Sequence, residues 1–197
     1  MTIRNGPTTK NSGSVRIGLM KILAGLSVTY IDSKMQVLDT TTNSLGALAQ
    51  TKYTGDVEWW DMYSGYPQQL DAVFPIKESA SIECAFLEQT PWNLALAHGL
   101  DPTAVEYAST WSGEIALGAR VAPAYLRVEG IGTYPDGTHQ LNIIFPKAQV
   151  KSSVEMEDQT DQGSNTPCTI HSTPADSGVT DGNAIWDDMP LGRIYVS

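Results

Sequence analysis

A chain of 197 residues is long enough for one domain with a substantial core, and a domain of roughly 150 residues or more buries about 70% of its unfolded-chain surface without disulfide or metal staples. Its 22 acidic against 12 basic residues give a net charge of −10. That balance argues against tight binding to nucleic-acid phosphates, which requires clustered Lys and Arg, and suits a surface that stays soluble and repels polyanions.

No apolar run approaches the ~20 residues that span a membrane as a helix, so no membrane insertion is expected. Residues 1–13 (MTIRNGPTTKNSG) are polar, lack the basic-then-apolar order of a signal peptide, and read as a flexible arm. The reading is therefore synthesis in a reducing cytoplasm. Cys84 and Cys168 have no CxxC spacing and no flanking His; one disulfide and two buried thiols are both open readings.

In chain order, Val15, Ile17 and Leu19 alternate with Arg16, Gly18 and Met20 and predict a first strand. Residues 26–50 read as a long connection whose DTTTNS middle pairs locally. A long hairpin follows. Tyr53, Val57 and Trp59 alternate with Thr54, Asp56 and Glu58 on the way out. On the return, Ile76, Ala80, Ile82, Cys84 and Phe86 share one face and Lys77, Ser79, Ser81 and Glu83 the other, the period of a half-buried strand. Between them residues 60–73 form a loop, with its bend at Gly65 and Pro67.

Helix punctuation is complete at the next segment: Thr90 as cap, Pro91 at the first helical position, WNLALAH as the body, and Gly99 as the stop. A second short helix is expected over 101–107. Strands resume with Ala124, Leu126 and Val128 alternating with Tyr125, Arg127 and Glu129, and a turn falls at Tyr134-Pro135-Asp136-Gly137. Leu141, Ile143 and Phe145 then share one phase, and Ala148, Val150, Val154 and Met156 the other. A bulge or bend is thus expected at Phe145-Pro146. Residues 158–167 read as a polar tip, 168–172 as a strand, and 191–196 as the last strand; 158–183 is counted among the long loops.

Chemistry is thinly represented. His98, His139 and His171 stand in three elements without HxxxH spacing, no GxSxG or phosphate-binding glycine loop occurs, and no cofactor or metal is expected. The carboxylates Asp56, Glu58 and Asp61, and Glu155, Glu157 and Asp158, read as solvated strand faces. Aromatic residues stand out instead: Trp59, Trp60, Tyr63, Tyr66 and Trp111. Trp59 and Trp111 fit a core or an interface, whereas Trp60 and Tyr63, near a hairpin tip, fit an interface.

The ordered pattern resembles the tail tube proteins (major tail proteins) of tailed bacteriophages. The residues that carry it are the long hairpin, FPIKESASIECAFLEQTPWNLALAHGLDP at 74–102, LNIIFPKAQVKSSVEME at 141–157 and PLGRIYV at 190–196. The likeness covers most of the chain from Val15 onward, without any single diagnostic motif. It implies a mainly β fold, a β-sandwich or barrel-like domain over residues 14–197 with one short flanking α-helix and long inter-subunit loops. It also implies a homo-hexameric ring, stacked into a tube that conducts DNA, in the virion tail. Sheath, tape-measure, terminator and baseplate proteins would be further partners, and DNA a transient, non-specific one. By position, loop 60–73 would bridge subunits through Trp60, Tyr63, Tyr66, Leu70 and Val73, helped by segments 1–13 and 26–50. Asp56, Glu58, Lys77 and Glu83 would face the lumen, where carboxylates would let DNA slide. Two other readings compete: a carbohydrate-binding β-sandwich stacking sugars on Trp59, Trp60 or Trp111, and an enzyme with a carboxylate pair.

Overall fold

The computed structural model describes residues 16, 18–101, 112–115, 117, 124–151, 154–156 and 165–197. Within them the chain runs β1 (Lys21–Leu26), α1 (Ser27–Tyr30), β2 (Leu48–Ser64), β3 (Gln69–Phe86), α2 (Pro91–Ala97), β4 (Leu126–Thr133), β5 (Gln140–Val150), β6 (Thr166–Ser172), a 3₁₀ turn (Ala184–Trp186) and β7 (Arg193–Val196). The fold is mainly β. All pairings are antiparallel, and the strand order is β1-β4-β5-β6-β3-β2, with β7 also on β5. The sheet is not closed into a barrel. Its edges approach where the Met20 N–H just before β1 donates to Thr51 Oγ1 on β2 (3.1 Å), and no ladder joins β1 to β2 among the described residues.

One face of this curled sheet holds the main core. Ile22 and Ala24, Leu126 and Val128, Ile143 and Phe145, Cys168 and Ile170, and Ile82, Cys84 and Phe86 meet there, and Leu96 and Ala97 of α2 cap them. Full burial of each large aliphatic or aromatic side chain contributes about 1.5–3 kcal/mol. The helix ends as its sequence dictates. Thr90 accepts from the Asn93 N–H (3.2 Å), Gly99 turns with φ 71°, and the amides of Gly99 and Leu100 bond back to the carbonyls of Leu96 and Ala95.

The bulge falls where the phase change placed it. Leu126 pairs with Ala148 but Val128 with Phe145, so Pro146 and Lys147 are accommodated against Arg127 alone. Ser27 of α1 donates its hydroxyl to the Pro146 carbonyl (2.8 Å), which anchors a one-turn helix absent from the sequence reading.

Several expectations shift. The first strand starts at Lys21, where β4 supplies partners, and Leu19 is exposed outside it; Val15 and Ile17 lie outside the described residues. So do residues 1–13 and most of the helix expected at 101–107. Segment 26–50 carries α1 and lends its ends to β1 and β2; its middle pairs locally through the Asn43 amide and the Asp39 carbonyl, and Ser44 bridges back to Leu23 of β1. Of segment 158–183, β6 takes Thr166–Ser172, and residues 158–164 lie outside the described residues.

The other face of the sheet is covered over half its width. Residues 27–47 lie over β1 and β4 through Leu23, Leu38, Ile131 and Tyr30, and residues 173–192 lie over β5 through Ile144, Ala175 and Trp186. Trp186 Nε1 donates to the Ile31 carbonyl (2.7 Å), joining the two covers. Arg127 and Glu129, which alternate with the core residues of β4, are completely buried under the first cover and pair at 2.7 Å. The second half of that face, on β6, β3 and β2, has no such cover among the described residues.

Candidate functional site

The feature that departs most from an ordinary sheet is the β2–β3 hairpin. β6 pairs with β3 only along Ser81–Phe86, and beyond Ser81 no further strand flanks either member among the described residues. The two strands nevertheless continue to Ser64 and Gln69, so they leave the sheet as a two-stranded arm. The turn is confined to Gly65–Gln68. The expected loop 60–73 is therefore strand at both ends, because its residues pair across the hairpin: Trp60 with Phe74, Asp61 with Val73, Met62 with Ala72, Tyr63 with Leu70.

Residues directly opposite in an antiparallel pair share a face, and neighbours along a strand alternate. By that register Tyr63, Leu70 and Val73 fall on one face of the arm. Trp60 falls on the other, its ring stacked on Phe74 at 6.0 Å and 26°. Tyr66 lies in the turn and is fully exposed. All five predicted contact residues thus lie on the arm, split between its two faces and tip. The sequence reading missed Met62 and Phe74, and it gave Ile76 a buried face; Ile76 is 58% exposed because β6 ends before reaching it. A signal existed in the apolar doublets Trp59-Trp60, Met62-Tyr63 and Val73-Phe74, which no half-buried strand can hide on one side.

The four predicted lumen residues also converge. Asp56, Glu58, Lys77 and Glu83 occupy one polar face that runs from the arm onto the bare half of the sheet, with Glu58 directly opposite Lys77. Glu83 is opposite Lys52, which the sequence reading overlooked, and pairs with it at 3.0 Å. Asp56, Glu58 and Glu83 stand here against Lys52 and Lys77, with Lys151 beside His171 on the same face, so the face is close to neutral. The acidity is concentrated elsewhere: residues 173–192 hold Asp176, Asp181, Asp187 and Asp188 with no Lys or Arg among them. On the same bare face, burial and nearby Lys151 push the His171 imidazole below its usual range, opposed by Glu83.

No protein-family profile matches this chain, and no curated protein sequence does. Among solved structures, the tail of an empty GTA particle, obtained by helical refinement in C6 symmetry, contains a similar chain. The identity is 13% and the TM-score 0.40, over 79% of this chain and 92% of that one. So loose a likeness transfers no role.

Other chemistry finds little footing in the geometry. Trp59 and Trp60 are adjacent on one strand and point to opposite faces, so they make no common stacking platform for a sugar; Trp111 lies outside the described residues. A groove of about 250 Å³ separates the base of the arm from the start of β7, lined by Tyr53, Val57, Phe145 and Ile194, with Asp56 and Glu78 on its wall. The three histidines stay apart: His98 caps α2, His139 bonds Asp136 in the β4–β5 turn, and His171 is on β6. Among the described residues no group of three or more His, Cys, Asp or Glu side chains is arranged to hold a metal ion.

Proposed function

We propose that this chain is a structural subunit of a phage tail tube, assembling as hexameric rings that stack into a conduit for DNA. The observation that carries the assembly is the arm. A lone two-stranded hairpin is marginally stable at best in water. This one also exposes Trp59, Trp60, Met62, Tyr63, Leu70, Val73, Phe74 and Ile76 along both faces. Apolar surface of that extent, on strands with unpaired outer edges, favours burial against another molecule. The ordered sequence resemblance supplies the kind of assembly: a ring of six, placed in the virion tail, with sheath, tape-measure, terminator and baseplate proteins as neighbours. In this reading Trp60, Tyr63, Tyr66, Leu70 and Val73 bridge copies, while Asp56, Glu58, Lys77 and Glu83 face the lumen.

Negative-stain microscopy of purified protein over a range of concentration and salt tests the assembly. Rings and stacked tubes are expected. Monodisperse monomer under every condition, including after addition of preformed tail ends, would overturn the reading. Shortening residues 64–70 refines the test: the domain should keep its circular dichroism spectrum and cooperative unfolding but no longer stack. Normal tubes from that deletion would remove the arm from the interface.

A further inference from the structure

Cys84 of β3 and Cys168 of β6 are directly opposite each other in register, at the centre of the strand pair that ties the arm to the rest of the sheet. Both are reduced and buried, and both belong to the main core. Along the sheet this attachment is slim: β6 holds β3 by six register pairs and β5 by only three. We propose that the two thiols form a redox-responsive pair that closes to a disulfide and staples the arm to the sheet.

The geometry is within reach. Opposed residues on antiparallel strands have Cα atoms about 4.5–5.5 Å apart, inside the roughly 4.4–6.8 Å that a disulfide spans. Their Cβ atoms, about 4.5–5.5 Å apart in such pairs, must draw together to about 3.5–4.5 Å. The resulting bond is slightly strained and correspondingly easy to reduce, which suits a reversible staple. Its chemistry is thiol–disulfide exchange with a small-molecule disulfide. One cysteine thiolate attacks oxidised glutathione and displaces a glutathione thiolate, leaving a mixed disulfide. The second cysteine thiolate then attacks the protein-bound sulfur and displaces the other glutathione. Two protein thiols are oxidised, one glutathione disulfide is reduced to two thiols, and the two protons lost by the cysteines end, by way of solvent, on the released glutathione sulfurs. Because both sulfurs are buried, the first attack waits on local opening of the β3–β6 pair, and the reaction is slow in the folded protein.

The test is to incubate the full chain with oxidised glutathione at mildly alkaline pH, a few degrees below its melting temperature. The products are then read by intact mass, non-reducing peptide mapping and thermal melts. Expected are a monomer lighter by two hydrogens, a peptide linking Cys84 to Cys168, a melting temperature raised by several degrees, and reversal of all three by a phosphine reductant. Cys84→Ala and Cys168→Ala variants should each show no oxidation-dependent rise. Stable glutathione adducts in place of the link, unaltered thiols, or a rise that persists in either single variant would overturn the proposal.

Discussion

Glu129 stands between Leu23 of β1 and Ile144 of β5 in register, a place where an unpaired carboxylate could not be tolerated. Arg127 Nε meets it at 2.7 Å, and the remaining guanidinium nitrogens bond the carbonyls of Tyr30, Ser33 and Met35 at 2.6–2.7 Å. The Glu129 oxygens in turn accept the Val37 and Leu38 amides, each at 3.1 Å. The pair therefore satisfies five backbone groups of the segment that covers the sheet, besides itself. Arg127→Met should cost about 3–5 kcal/mol, the usual penalty for stranding a buried partner. Arg127→Met with Glu129→Leu should cost much less than the two single losses added together, though more than nothing, because the covering backbone still loses its partners. Urea unfolding of the two singles and the double gives the coupling, and simple additivity would refute this account. At the surface, Asp136 in the β4–β5 turn accepts from His139 and from the Thr138 and His139 amides, which holds its pKa down at about 2. A carboxylate with a depressed folded-state pKa stabilises above its unfolded value, near 3.9, and that stability is lost as pH falls toward 2. Asp136→Asn should thus lower the melting temperature at pH 6 while leaving it nearly unchanged at pH 2, as a pair of thermal melts would show.

At the scale of elements, the helix and the bulge show what a sequence states openly. Thr90, Pro91 and Gly99 specify both ends of α2 through local bonds, and nothing distant can change that message. Thr90→Ala should accordingly cost about 1 kcal/mol, since the Asn93 amide loses its cap. An unchanged denaturation midpoint would mean that water replaces the hydroxyl without loss. The phase change at Phe145-Pro146 was equally legible, because a strand that swaps faces must carry an extra residue. Arg127 and Glu129 were not legible as buried groups. Alternation gives them the same phase whether water or a covering segment lies above, and the cover comes from residues 27–47, far away in sequence. The arm failed differently: Ile76 and Ile82 follow one pattern, but β6 covers only the second. Where a neighbouring strand stops is a tertiary fact, so the polar face of Asp56, Glu58, Lys77 and Glu83 was foreseen while the length of the arm was not.

For the whole molecule, the distribution of charge bears on the proposed passage of DNA more than its total does. The polar face sets three carboxylates against Lys52 and Lys77, with Lys151 close by at His171, whereas four aspartates lie on the segment that covers β5. A lumen built from six such faces would be close to neutral rather than strongly repulsive, with Lys52 paired to Glu83 and Lys77 opposite Glu58 in register across the hairpin. Phosphates would then meet no cluster of cations, which is sufficient to prevent retention, because retention grows with each Lys or Arg that releases counterions. The double reversal Asp56→Lys with Glu58→Lys puts two more cations next to Lys77 and makes the face strongly basic. Tubes assembled from that variant should hold double-stranded DNA at low salt and release it steeply as salt rises, while wild-type tubes hold little at any salt. Filter binding across a salt series on intact tubes measures this directly. Equal retention by both tubes would place Asp56 and Glu58 away from the conduit, and the polar face would then belong to the outer surface or to a contact between rings.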